Sequence, residues 1–81
     1  MHDPELGRLK WHCRRGMKEL DVLLERWLER AWPAADADAR SAFEWLLEQP
    51  DPDLADWLIG GARPVDAAHA ALVDDIVRGS D

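Results

Sequence analysis

Cysteine is almost absent from this chain, and its scarcity limits what kind of protein it can be. The 81 residues include one cysteine, Cys13, so no intramolecular disulfide can form. A metal cluster built mainly on thiolates is excluded for the same reason. A reducing cytoplasm is therefore the expected compartment.

Long apolar runs and a cationic excess are also missing. No stretch approaches the length needed to span a bilayer, and residues 1–5 have neither the basic nor the apolar region of a signal peptide. We therefore expect a soluble, unexported protein. The formal net charge is −7, from 17 acidic and 10 basic residues, which opposes generic binding to nucleic acid or anionic lipid. A chain of this size also leaves no room for a large enclosed active site.

Helical periodicity is what the chain has in abundance. Apolar residues recur at spacings of three and four, and no stretch alternates with period two. The pattern predicts helices over residues 5–14, 17–32, 36–48, 51–59 and 66–78, of which the second is the longest. Asp36 and Asp51 are the predicted N-caps of the third and fourth helices, and Gly60, Gly61 and Gly79 end the last two.

Short connections between these helices predict an all-α fold, a compact bundle of five short helices in one domain. Residues 1–4 and 79–81 are expected to fray. Met17, Trp27, Trp57 and Val77 also fall on apolar stripes, whereas Trp45 lies off the stripe of its helix. Trp45 is then either a partner contact or partly exposed packing. The predicted core consists of Leu9, Leu20, Leu24, Leu28, Phe43, Leu46, Leu47, Leu54, Leu58, Leu72, Val73 and Ile76.

Cys13 beside His12 invites a nucleophile hypothesis, but the geometry of a helix opposes it. Neighbouring residues point about 100° apart, so the imidazole does not naturally reach the thiol. Cys13 shares the apolar stripe of Leu6 and Leu9, and we expect it to be a small buried hydrophobic residue. The histidines and Cys13 also lack the spacing of a metal site, so none is predicted.

The unusual chemistry concentrates in residues 11–21, where one helical pattern stops and the next begins. Gly16 lies at that point, where a residue without Cβ permits a left-handed turn or a close backbone approach. Arg15 and Glu19 are four apart, so they would share a face if the turn were helical. Spacing alone is typical of an exposed ion pair beside an ordinary glycine cap.

The order of residues in this stretch is similar to a known family. Trp-x-Cys-Arg-Arg-Gly-Met-x-Glu-Leu-Asp, ending at Asp21, resembles the SdhE family of small bacterial assembly factors for the flavoprotein subunit of succinate dehydrogenase and fumarate reductase. The resemblance extends over about residues 8–76, and the Arg-Gly-x-x-Glu core (RGxxE) is its most specific part. Further matches are Leu46-Leu47-Glu48, Asp51-Pro52-Asp53-Leu54, Trp57-Leu58, Gly61, Pro64 and Asp66.

This resemblance implies a function and a set of binding residues. A family member is not an enzyme but binds the flavoprotein subunit and promotes covalent attachment of FAD to a histidine of that subunit. FAD is then carried by the partner, and the sequence leaves open whether this chain binds free FAD. A monomer is the default expectation for a small all-α chain. The resemblance assigns partner binding to Arg15, Gly16 and Glu19, with Arg14, Met17 and Asp21 matching the surrounding pattern.

A rival interpretation belongs to another class. The chain would be a helical interaction module for an unrelated partner, docking through Trp45 and the acidic surface, with RGxxE serving only the fold. Loss of binding on Trp45→Ala, together with its survival on loss of Glu19, would favour that rival. A cysteine-based enzyme is a more distant alternative.

Overall fold

A computed structural model of the protein describes residues 4–79, and this part of the chain is helical as predicted. The five helices are α1 (Pro4–His12), α2 (Lys18–Arg30), α3 (Ala37–Leu47), α4 (Asp51–Leu58) and α5 (Ala67–Arg78). A 3-10 turn, Trp32–Ala34, follows α2, and no strand occurs between residues 4 and 79. The all-α prediction is confirmed, and α2 is the longest helix at 13 residues.

The helix starts show where the capping predictions succeed and fail. Asp36 caps α3, because its carboxylate accepts the backbone N–H of Ala39 at 2.8 Å. The same prediction is wrong for Asp51, which is the first helical residue of α4 and makes no capping bond. Pro50 takes the cap position in an extended conformation (ψ 150°), and this frees the Asp51 carboxylate for another contact.

The predicted fraying concerns residues that lie mostly outside the described part of the chain. Residues 1–3, 80 and 81 belong to that group. Pro4 is the first residue of α1, and Gly79 is the C-cap of α5, where its N–H donates to the carbonyl of Asp75 at 3.0 Å.

The helices enclose one apolar core, and each of the twelve predicted core residues is buried in it. Cys13, Trp27, Trp32 and Ala42 complete the core. Phe43 stacks on Trp27 with ring centroids 4.5 Å apart, and the ring of Trp32 lies 6.0 Å from Phe43. The chain turn after α2 therefore buries a tryptophan that the sequence pattern did not assign to the core.

Three residues predicted on apolar stripes are less buried than expected. Met17 is exposed because α2 begins one residue later and Met17 itself is extended, with φ −114° and ψ 106°. Val77 is exposed, since it follows the buried Ile76 by one position and therefore points about 100° away from the buried direction. Trp57 is half-buried and packs against the outside of the core.

Candidate functional site

The connection between α1 and α2 is a non-helical loop, residues 13–17, which we call the Gly16 loop. Gly16 has φ +81°, a conformation that L side chains rarely adopt. A Cβ built on Gly16 would meet no other atom within 4 Å, so open space lies in front of this residue. Because the turn is not helical, Arg15 and Glu19 do not lie on one helix face.

Arg15 points into the protein and not toward Glu19. Its side chain is only 17% exposed, and one guanidinium nitrogen, Nη2, donates to the carbonyl of Leu47 at the end of α3. Nη1 lies 3.7 Å from Oδ1 of Asp51 at the start of α4. Nε–H has no acceptor among the described residues. The exposed Arg15–Glu19 ion pair that spacing suggested is therefore not formed.

Asp21 holds the same loop from the other side. Its Oδ1 accepts the backbone N–H of Arg15 at 2.7 Å, while its own N–H donates to the carbonyl of Met17 at 2.9 Å. Asp21 is half-buried in the first turn of α2, where a negative charge opposes the positive end of the helix dipole. Its carboxylate thus fixes the loop and stabilises the helix that follows.

The remaining residues of the predicted site face solvent. Gly16, Met17 and Glu19 are exposed, and the Arg14 side chain is 70% exposed. Glu19 also lines a shallow depression on the outer face of α2, together with Lys18 and Val22. Sequence reasoning gave no role to Trp11, which is 72% exposed on α1 and joins Arg14 in lining a shallow groove. Because Trp11 lies off the apolar stripe of Leu6, Leu9 and Cys13, the sequence could have indicated that its side chain is exposed.

The basic residues near this surface are mostly paired within the chain. Each of three exposed cations lies within ion-pair distance of an acid on α2 or α3, and such pairs contribute little because water screens them. The pairs are Arg8 with Glu44 (3.9 Å), Lys10 with Glu29 (3.4 Å) and Arg14 with Glu25 (3.7 Å).

Cys13, the first residue of the loop, is fully buried, as the sequence predicted. Burial raises the pKa of the thiol from 9.0 to about 12, and the negative charge of Glu25 adds to the effect. The thiol is therefore protonated at neutral pH and is a poor nucleophile. In residues 4–79 no group of three His, Cys, Asp or Glu side chains is arranged to hold a metal. No helix of this part of the chain is long and apolar enough to cross a membrane.

Trp45 lies far along the chain from the Gly16 loop and is engaged within the protein. It is half-buried, and its ring stacks on His69 at 3.7 Å and on Trp57 at 5.4 Å between centroids. Three helices contribute one ring each to this stack. The ring of Trp45 is thus covered in part by its own chain.

Comparison with known proteins places the chain beside a set of named relatives. A family model described as Sdh5, flavinator of succinate dehydrogenase, matches residues 7–79. A Methylococcus capsulatus protein named FAD assembly factor SdhE is 53% identical over 66 residues, or 82% of this chain and 80% of that protein. Its namesake from Vibrio parahaemolyticus is 45% identical over 78 residues (95% and 91%). The Coxiella burnetii namesake is 41% identical over 77 residues (94% of each chain).

Proposed function

The chain belongs to the Sdh5 family, the flavinators of succinate dehydrogenase, and we propose that it binds the flavoprotein subunit of that enzyme or of fumarate reductase. In this proposal it promotes the covalent attachment of FAD to a histidine of the subunit. The resemblance to the SdhE family that the sequence predicted is confirmed by relatives that carry the name FAD assembly factor SdhE.

The observation that carries the proposal is the open face of Gly16. The backbone there is exposed, its left-handed conformation is held from two sides, and no atom of the chain lies where a Cβ would be. A partner can therefore approach this backbone closely without the loop having to rearrange, and a preformed loop loses little entropy on binding.

We assign direct contact with the partner to Gly16, Met17, Glu19 and Arg14, which are all exposed. Arg15 and Asp21 belong to the binding site as the residues that hold the loop. The Glu19 carboxylate can accept charge-assisted hydrogen bonds, so binding should weaken as salt concentration rises.

The bond-forming groups and the FAD belong to the partner in this account. The relatives are named assembly factors, and the only thiol in the chain is buried and protonated. The protein acts by stabilising the conformation of the flavoprotein in which flavin and histidine are aligned, which favours a reaction that the partner's own groups perform. We expect the chain to meet its partner as a monomer in the cytoplasm.

The test is covalent flavin on the flavoprotein subunit, measured as fluorescence in a denaturing gel. Cells lacking the assembly factor are compared with cells that make the wild type, Glu19→Ala or Asp38→Ala. Asp38 is the matched control, because it is also an exposed acid in the first turn of a helix, here α3. We expect flavin to rise with the wild type and Asp38→Ala and to fall with Glu19→Ala.

Equal flavin in all four strains, at equal amounts of subunit, would contradict the proposal. The interaction-module hypothesis would then gain support, and the likeness to the family would be one of fold alone. Equal losses with Glu19→Ala and Asp38→Ala would point to helix stability and not to a binding role of Glu19.

A further inference from the structure

The end of α3 depends on a side chain from the Gly16 loop. The last carbonyls of a helix have no partner within it and must be satisfied elsewhere. Those of Trp45 and Leu46 accept backbone N–H groups three residues further on, at 3.1 Å each. The carbonyl of Leu47 accepts instead from the guanidinium of Arg15, which lies 32 positions earlier in the chain.

The same guanidinium lies beside two negative groups, the carboxyl end of α3 and the Asp51 side chain at the start of α4. The carboxyl end of α3 carries partial negative charge, so a cation beside it is stabilising. Asp51, the first residue of α4, adds a full negative charge 3.7 Å from Nη1 of Arg15. The Arg15 side chain is only 17% exposed, so water screens this attraction less than it screens the surface ion pairs.

Arg15 is therefore fixed at both ends. Its side chain binds the α3–α4 junction, and its backbone N–H binds Asp21 on α2. The next residue is Gly16, whose backbone is joined directly to the residue that these contacts hold. A change at the α3–α4 junction can reach the exposed face of Gly16 through this single side chain.

We propose that Asp51 is a positioning residue for partner binding, which fixes the Gly16 loop through Arg15 without touching the partner. This inference rests on the proposed function and extends the binding site to a helix outside the RGxxE motif. Asp51→Asn should loosen the loop and raise the concentration of assembly factor needed, while saturating protein still supports full flavinylation.

Asp53 supplies a matched control in the same turn. Asp51 and Asp53 are both acids in the first turn of α4, so replacing either by asparagine removes a charge that favours the helix dipole. Of these two acids, only Asp51 lies within ion-pair distance of the Arg15 guanidinium. Any effect on the stability of α4 should therefore appear in both variants, whereas an effect on the Gly16 loop should appear in Asp51→Asn alone.

The experiment titrates purified assembly factor against the apo-flavoprotein subunit and FAD, and measures covalent flavin. We expect Asp51→Asn to raise the half-maximal concentration about fivefold, as for an ion pair at the upper end of the exposed range. The maximal extent should be unchanged, and Asp53→Asn should stay within about twofold of the wild type in both quantities. Equal half-maximal concentrations for the two variants would overturn the proposal.

A second comparison separates positioning from direct contact. In an Arg15→Met background, Asp51→Asn should have no further effect, because the group through which it acts is gone. A further fivefold loss there would mean that Asp51 touches the partner, and the proposal would be wrong.

Hydrogen exchange keeps the test decisive if Arg15→Met does not fold. The Arg15 amide, bonded to Asp21, should exchange about fivefold faster in Asp51→Asn than in Asp53→Asn. Equal rates would refute the coupling. Glu19→Ala, run in parallel, tests the proposed function separately. If Glu19→Ala also leaves flavinylation unchanged, the proposed function fails. If Glu19→Ala lowers flavinylation while Asp51→Asn and Asp53→Asn have equal half-maximal concentrations, only the positioning role of Asp51 is removed.

Discussion

Two loops of this protein each turn the chain at a glycine with positive φ, but different contacts hold them in place. The Gly16 loop follows α1, and residues 59–66, which we call the Gly61 loop, follow α4. Gly16 has φ +81° and Gly61 has φ +84°, and a Cβ on either would meet nothing within 4 Å. By local geometry alone the two glycines are equivalent.

The contacts around them are not equivalent. The Gly61 loop is tied to the helix it follows, because the N–H groups of Gly60 and Ala62 donate to carbonyls of α4 at 2.9 Å. Its one ion pair among the described residues joins the exposed Arg63 to the half-buried Asp74 of α5 at 2.7 Å. The Gly16 loop is tied through Arg15 and Asp21 to three other elements, α2 and the facing ends of α3 and α4.

This difference separates a loop that ends a helix from a loop that is held to present a surface. Ending a helix requires only local carbonyl bonds and a residue that accepts positive φ. Long-range anchors add preorganisation, which lowers the entropy lost when a partner binds. We infer that the Gly16 loop is built for recognition and that the Gly61 loop is structural.

The largest expected effect comes from a bulky side chain at each glycine. Gly16→Arg should weaken binding to the flavoprotein subunit by about a hundredfold, because the side chain fills the space that the partner backbone needs. Gly61→Arg should leave the affinity within about twofold of the wild type, although it strains the backbone to the same degree. The affinity is measured by calorimetric titration of the subunit.

Stability measured on the same two variants separates blocked binding from unfolding. The two should lose similar stability, since both force a side chain into positive φ. Wild-type affinity for Gly16→Arg, or an equal loss of affinity in both variants, would remove the distinction between the loops.

A smaller effect is expected from alanine, and here the loops should behave alike. Gly16→Ala and Gly61→Ala should each lower the free energy of unfolding by about 1 kcal/mol, the cost of positive φ with a Cβ. Asparagine at either position should recover part of that loss because it tolerates the left-handed region. Denaturant midpoints measure both. A much larger loss at one glycine would mean that a neighbouring contact, and not φ, sets the cost.

The helices, the core and the position of Gly16 could be predicted because they depend on local pattern. Spacing of three and four defines the buried stripes of α2 and α3, and the break between two stripes places Gly16 in a turn. Asp36 is recognisable as a cap because its acceptor geometry involves only the next three residues.

The direction of Arg15 could not be predicted, because its acceptor is a backbone carbonyl 32 residues away. No side-chain pattern marks Leu47 as an acceptor. Asp51 was assigned to a cap by its type and position, but Pro50 already provides the extended cap residue, and the carboxylate is left for Arg15. The resemblance proposed a set of binding residues without distinguishing the exposed Gly16 and Glu19 from Arg15 and Asp21, which hold the loop.

The smallest expected effect is a pH dependence of the free energy of unfolding, which a residue of the Gly16 loop should cause and the Gly61 loop should not. Cys13 opens the Gly16 loop, and burial raises its pKa from 9.0 to about 12, whereas residues 59–66 contain no thiol. The unfolded thiol loses its proton above pH 9 while the folded one keeps it, so its contribution to stability is complete well below pH 9 and declines as pH rises toward 12. Between pH 7 and pH 9 the decline should be about 0.4 kcal/mol.

The measurement compares free energies of unfolding at pH 7 and pH 9 for the wild type, Cys13→Ala and Gly61→Ala. Lysines also begin to titrate in this range, but all three proteins share them, so the difference between variants isolates the thiol. Gly61→Ala keeps Cys13 and should show the wild-type decline, whereas Cys13→Ala should lose about 0.4 kcal/mol less. Equal declines in the free energy of unfolding for all three proteins would mean that the thiol ionises as readily in the folded protein as in the unfolded chain. Water would then reach Cys13 in the folded state.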